Sequence, residues 1–209
     1  TINELDELEG TVSFGLSGYS GYNARQLLNE EGKMELMKSL VENMPEAHIT
    51  STNLKDFDVY DKTAKVEFEL TTDEPLMIAG ENYYLDPLLG FGLVENPFTA
   101  EERTQAVDLH YPKNQIYSIK FDIPENMEVV SIPESTILEL LDGAAHMRFL
   151  CEEKNNQLRI NFQLSFTRSY FSPEEYASLK DFYDHILEKQ GEQIVKTNSM
   201  KKIILFLFL

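Results

Sequence analysis

The sequence predicts an α+β protein, rich in antiparallel β-structure arranged as sandwich-like sheets, with an N-terminal helical segment and a C-terminal helix. Strict alternation is the first observation behind this: Leu158, Ile160, Phe162, Leu164 and Phe166 are separated by Arg159, Asn161, Gln163 and Ser165, the period of a strand with one face buried. Asn155-Asn156 just before it suits the positive φ angles of a tight hairpin with a partner strand at Ala144–Glu153, which makes the pairing antiparallel. Helical spacing is the third observation, and it marks two stretches, one between Ala24 and Met44 and one after Ser172.

Taken in order, Val12, Phe14 and Leu16 alternate with Ser13 and Gly15, and Gly18-Tyr19-Ser20-Gly21 reads as the exit from that strand. Leu27, Leu28, Met34, Met37, Leu40, Val41 and Met44 then fall at helical spacing up to Pro45, with Gly32 as a point of division. Phe57 and Val59, then Val66, Phe68 and Leu70, read as a hairpin around Asp61-Lys62-Thr63. Pro75–Val94 reads as one strand followed by irregular packing around Pro87 and Gly90. Tyr117, Ile119, Phe121 and Ile123 alternate, and Pro124-Glu125-Asn126 turns the chain into Met127, Val129 and Ile132 as a second antiparallel ladder. Ser172-Pro173-Glu174-Glu175 supplies an N-cap, a proline in the first turn and a capping glutamate. Tyr176, Leu179, Tyr183, Ile186 and Leu187 form the apolar face of the helix that follows, up to Gly191.

Length and charge narrow the function classes. A chain of 209 residues buries a core without disulfides or metals, as one domain or two tightly packed halves with a subdivision near residue 95. Net charge is −18, and the last 14 residues hold three Lys and no acid, leaving −21 on residues 1–195. Such a surface repels phosphate backbones and anionic membranes, so nucleic acid is not an expected partner. A hydrophobic content of 42% with 11% aromatics is too high for a solvating tail. One cysteine, Cys151, forms no internal disulfide, and Ile203–Leu209 is far too short to span a bilayer.

Each chemical constellation has a simpler structural reading. Cys151 and His146 lie five apart on one strand, which sends them to opposite faces, so no thiol–base pair is expected. Asp56, Asp58 and Glu67 imitate a calcium loop, but Tyr60 offers no carboxylate at the fifth position and Asp61 replaces the required glycine. The glycines of Gly15–Gly21 match neither a phosphate loop nor a nucleophile elbow. His48, His110, His146 and His185 share no segment, as a local zinc site would require. Tyr83-Tyr84 with the Phe91 region forms a candidate sugar platform, set against a core-edge role. No catalytic, cofactor-binding or metal-ligating residue is therefore assigned, and no cofactor is expected.

Asn96-Pro97-Phe98, then Glu102-Arg103 and Ala106-Val107-Asp108-Leu109-His110-Tyr111-Pro112, resemble the C-terminal region, itself of unknown function, of transglutaminase-like envelope proteins of Gram-negative gut bacteria. Ile123-Pro124 with Ile132-Pro133-Glu134, Tyr170 through Tyr183, and Gly10 leading to Gly18-Tyr19 and Arg25 extend that resemblance over residues 1–195. It implies a noncatalytic accessory module whose Cys-His-Asp core lies upstream of Thr1. No residue of this chain matches that triad, so none inherits a catalytic role. Asn96, Pro97, Phe98, Arg103 and Asp108 are the family-motif positions, expected to be structural, with Arg103 and Asp108 forming a buried ion pair or a cap for the loop around Phe98. A periplasmic or cell-envelope location is implied as well.

Residues 196–209 fall outside the resemblance. Met200-Lys201-Lys202 followed by Ile203–Leu209 reads like the opening of a signal peptide, and Thr1 suggests a piece of a longer chain. An ordinary C-terminal strand is the plainer reading of Ile203–Leu209, giving a route to self-association through a sheet edge. Three functions remain open: an accessory domain packing beside the transglutaminase-like core or a partner, an autonomous glycan- or peptide-binding module at the envelope, and an independent enzyme requiring a nonlocal triad.

Overall fold

A computed structural model describes residue 2 and residues 7–44, 47–72, 76–112 and 114–198. The main layer is a seven-stranded sheet built from β1 (Leu8–Leu16), β2 (His48–Lys55), β3 (Ala64–Thr72), β7 (Asn114–Asp122), β9 (Thr136–Leu140), β10 (Ala145–Lys154) and β11 (Gln157–Phe166), in the order β2-β3-β1-β7-β11-β10-β9. Every neighbouring pair is antiparallel. A four-stranded antiparallel sheet contains β4 (Leu76–Ala79), β5 (Asn82–Leu85), β13 (Ile194–Asn198) and β8 (Met127–Ser131) in that order. β6 (Val107–Asp108) pairs with β12 (Tyr170–Phe171). Three helices complete the fold: α1 (Gly18–Glu30), α2 (Lys33–Leu40) and α3 (Tyr176–Gln190), the last entered through a 3-10 turn at Pro173–Glu175.

Alternation decides which face of the large sheet is sealed. Val12 and Phe14 of β1, Val66 and Phe68 of β3, Ile119 and Phe121 of β7, and Ile160 and Phe162 of β11 are all buried. They join one hydrophobic core with α2, α3, Leu85 and Ile194. The opposite face stays wet along its length. Strands from both sides of residue 95 share this sheet and this core.

The β10–β11 hairpin forms in the expected register, Lys154 opposite Gln157, with Asn155 and Asn156 at φ 54° and 60°. The entrance to α3 also forms as expected: Glu175 reaches back to accept the Ser172 N–H at 2.9 Å, and Arg168 grips the same carboxylate.

Several elements differ from the sequence reading. Gly18–Gly21 is the first turn of α1 rather than a loose exit, and a Cβ at Gly21 would stand 2.6 Å from the Leu16 carbonyl oxygen. Gly32, at φ 90°, divides the helical stretch as expected, but α2 ends at Leu40, ahead of Pro45, which lies outside the described residues. Phe57 and Val59 sit in the loop between β2 and β3, not on a strand. The aromatic stretch after Pro75 forms the β4–β5 hairpin before the irregular segment. β7 and β8 do not form a ladder with each other. The Ile123 N–H donates to Asn156 O at 2.9 Å, Pro124 has no N–H to continue the pairing, and the chain leaves for the smaller sheet, where β8 pairs with β13. The boundary placed after residue 195 falls inside β13, whose Lys196 is fully buried. Ile203–Leu209 lies outside the described residues.

Candidate functional site

Asn96 anchors its loop to the last helix. Its amide donates to the Lys180 carbonyl at 3.0 Å and the Asp184 carboxylate at 2.7 Å, while its side-chain oxygen accepts the Phe98 N–H at 2.9 Å. That turn drives Phe98 edge-on against Tyr176 and Tyr183, with centroids 5.9 and 5.1 Å away. Pro97 is exposed at the apex. Arg103 and Asp108 are both exposed, so the expected buried ion pair is not formed. Arg103 lies 6.0 Å from the centre of the Tyr176 ring, and Asp108 accepts the His110 N–H at 2.7 Å. Asp108 therefore holds its own turn and not the loop around Phe98.

Cys151 is buried on the same face of β10 as Met147 and Phe149, and burial pushes its thiol up to about 11. A thiol so far from its thiolate is a poor nucleophile near neutral pH. His146 stands on the wet face, 3.9 Å from Glu139. No group of three or more His, Cys, Asp or Glu among the described residues is arranged to hold a metal ion, and no helix there is long and apolar enough to cross a membrane.

The loop resembling a calcium site contains a cation of another kind. Arg25 of α1 is buried, and its guanidinium donates to the carbonyl oxygens of Asp56 and Phe57 at 3.0 Å and of Val59 and Lys62 at 2.8 Å. Its sequence position gave no hint of this, because the accepting atoms are main-chain oxygens more than 30 residues away.

Lys196 is also unexpected. It is 0% exposed, its ammonium lies 3.7 Å from the centre of the Phe121 ring, and Nζ has no hydrogen-bond partner among the described residues. Desolvation lowers its pKa from 10.5 to about 7, opposed by the charge of Glu153.

Two exposed features remain. Phe91 is a core residue, edge-on to Phe14 at 5.1 Å, so it adds no sugar platform to Tyr83-Tyr84. The aromatic cluster lies elsewhere: Tyr19 and Tyr22, 51% and 53% exposed, are 6.0 Å apart on α1, and Tyr111 sits 4.6 Å from Tyr19. Misreading the first turn of α1 hid the helical spacing of the pair. The second feature is the wet sheet face, where side chains bond across strands: Ser13 to Glu67 at 3.2 Å, Ser118 to Asn161 at 3.0 Å and Gln157 to Asp122 at 2.8 Å.

Fold and surface together define a mostly antiparallel α+β protein with one sealed and one open sheet face. A family model described as a domain of unknown function with a solved structure, DUF3858, matches residues 81–196, more than half of the chain. The chain belongs to this family. No curated protein matches it, and no solved structure does.

Proposed function

We propose that the chain is a noncatalytic accessory domain of a transglutaminase-like protein of the cell envelope, working by binding beside the catalytic core. The observation that carries this reading is the open face of the seven-stranded sheet. A sheet sealed on one side and exposed across the other offers a broad, rigid surface, its side chains fixed by cross-strand hydrogen bonds. Support for the context is the motif resemblance around Asn96–Phe98.

The test extends the reading frame upstream of Thr1 and expresses the parent protein with and without residues 8–198. Under the proposal the upstream frame encodes a core with its Cys, His and Asp, and the isolated chain has no transglutaminase or protease activity. Deleting residues 8–198 then changes KM or partner capture while leaving the core thiol reactive. An unrelated upstream frame, or activity in the isolated chain, refutes it.

A second reading, an autonomous glycan- or peptide-binding module, is favoured by Tyr19, Tyr22 and Tyr111. Rigid, half-exposed tyrosines suit both sugar stacking and protein hot spots.

A further inference from the structure

A groove of about 750 Å³ crosses the wet face of the large sheet at the end where β1 leaves it. Gly15 lies on its floor, opposite Lys65 of β3, and half-exposed Ile116 gives it an apolar wall. On the next strand Lys55 stands directly opposite Lys65. Like charges opposed across an antiparallel pair repel and destabilise it, and neither lysine has an ion-pair partner among the described residues. Acids outnumber bases 36 to 18 in this chain, yet Glu67 is the one acid lining the groove, and its carboxylate already accepts the Ser13 hydroxyl. The remaining polar lining is hydroxyl and amide, including Ser17, Asn53 and Asn114.

We propose that this groove binds a carboxylate-bearing saccharide. The carboxylate sits between Lys55 and Lys65 and relieves their repulsion, the ring hydroxyls bond to the serine and asparagine side chains, and Ile116 takes the apolar ring face. β3 is paired along its length with β1 and β2, while β1 meets β7 only at Phe14 and Tyr117. The hydroxyl and amide side chains beside two ammonium groups match an acidic sugar, and an extended peptide, which binds through an open strand edge, is the rival that the titration separates. A nucleic acid would bring a phosphate backbone against a net charge of −18, whereas a single carboxylate held within a Debye length of two ammonium groups is attracted.

The inference rests on the binding role proposed above, and its test is separate. The full chain is titrated calorimetrically with galacturonic acid oligomers, with neutral galactose oligomers, and with a short peptide bearing a free C-terminal carboxylate. The acidic oligomer is expected to bind in a salt-sensitive way, with the neutral oligomer roughly tenfold weaker or more, equivalent to ~1.4 kcal/mol. K55M/K65M should lose binding by a similar factor while resisting urea at least as well as the parent, because a repulsion has been removed. Gly15→Leu should block the groove without touching the lysines. Equal binding of acidic and neutral oligomers, binding of the peptide alone, no binding at millimolar concentration, or binding unchanged in K55M/K65M would each overturn the proposal. None of these outcomes bears on association with an upstream core, which is measured on the parent protein.

Discussion

Replacing Lys196 by Met should stabilise the protein at neutral pH and remove much of its pH dependence. The side chain is fully buried with an unpartnered ammonium, and its pKa falls from 10.5 to about 7. A group with a lowered folded pKa contributes stability that is complete above the unfolded pKa and lost as pH falls toward the folded one. Stability therefore drops between pH 10.5 and pH 7 by ~1.4 kcal/mol per unit, which accumulates to about 4–5 kcal/mol at and below pH 7. That is a large share of the 5–15 kcal/mol typical of a folded domain. Methionine keeps an unbranched apolar stem against Phe121 and brings no charge. Urea unfolding at intervals from pH 7 to pH 10 should show K196M a few kcal/mol more stable at pH 7, with the gap closing as pH rises. Cys151 and Tyr183, raised by burial to about 11 and about 12, keep their protons in the folded state and lower stability as pH climbs above about 9. Taking the difference between variant and parent cancels that opposing trend. Parallel profiles for the two proteins, or a less stable K196M at pH 7, would refute the reasoning.

Arg25→Met strips the donors from four main-chain carbonyls and should cost about 2–4 kcal/mol in urea unfolding; hydrogen exchange should quicken first in residues 56–63. Phe98→Ala empties the space between Tyr176 and Tyr183 and should cost about 3–5 kcal/mol by the same assay. The buried Cys151 thiol should resist a disulfide reagent at pH 8 in native protein and react fully in denaturant, followed by absorbance. Glu175 is held below the usual carboxylate range by the Arg168 guanidinium and the Ser172 N–H, so it supports the fold above pH 4.5 and loses that role as pH falls below it. Glu175→Gln should flatten the acid limb of the thermal unfolding profile.

How far the sequence could be read depended on the range of the interaction involved. The Asn155-Asn156 hairpin and the Ser172–Glu175 helix entrance are local devices whose atoms lie within a few residues, and both appear where expected. β7 and β8 each alternate correctly, but alternation says only that a strand has one buried face and does not say which strand lies beside it. The partner of β8 proved to be β13, more than 60 residues on. Phe98 was legible as a motif residue, whereas its ring partners come from α3. Arg25, Lys196 and the Lys55–Lys65 opposition were invisible for the same reason: their burial or repulsion arises only when distant segments meet. The misread first turn of α1 has a different cause, since glycines are poor helix formers, yet Gly21 is there because a Cβ would meet the Leu16 carbonyl and Gly18 because it takes φ 55° at the helix start.

The match to the family begins at residue 81, yet β1, β2 and β3 continue the same sheet, with β1 seated against β7. Kinship and folding therefore have different borders in this molecule. A protein expressed from residue 81 would leave β7 as an edge strand and uncover Phe91 and Tyr117, whose rings pack against Phe14, so insoluble material from such a fragment would report a severed sheet, not a faulty domain. Anyone producing family members for crystallisation or binding screens should start at least as early as the equivalent of Leu8.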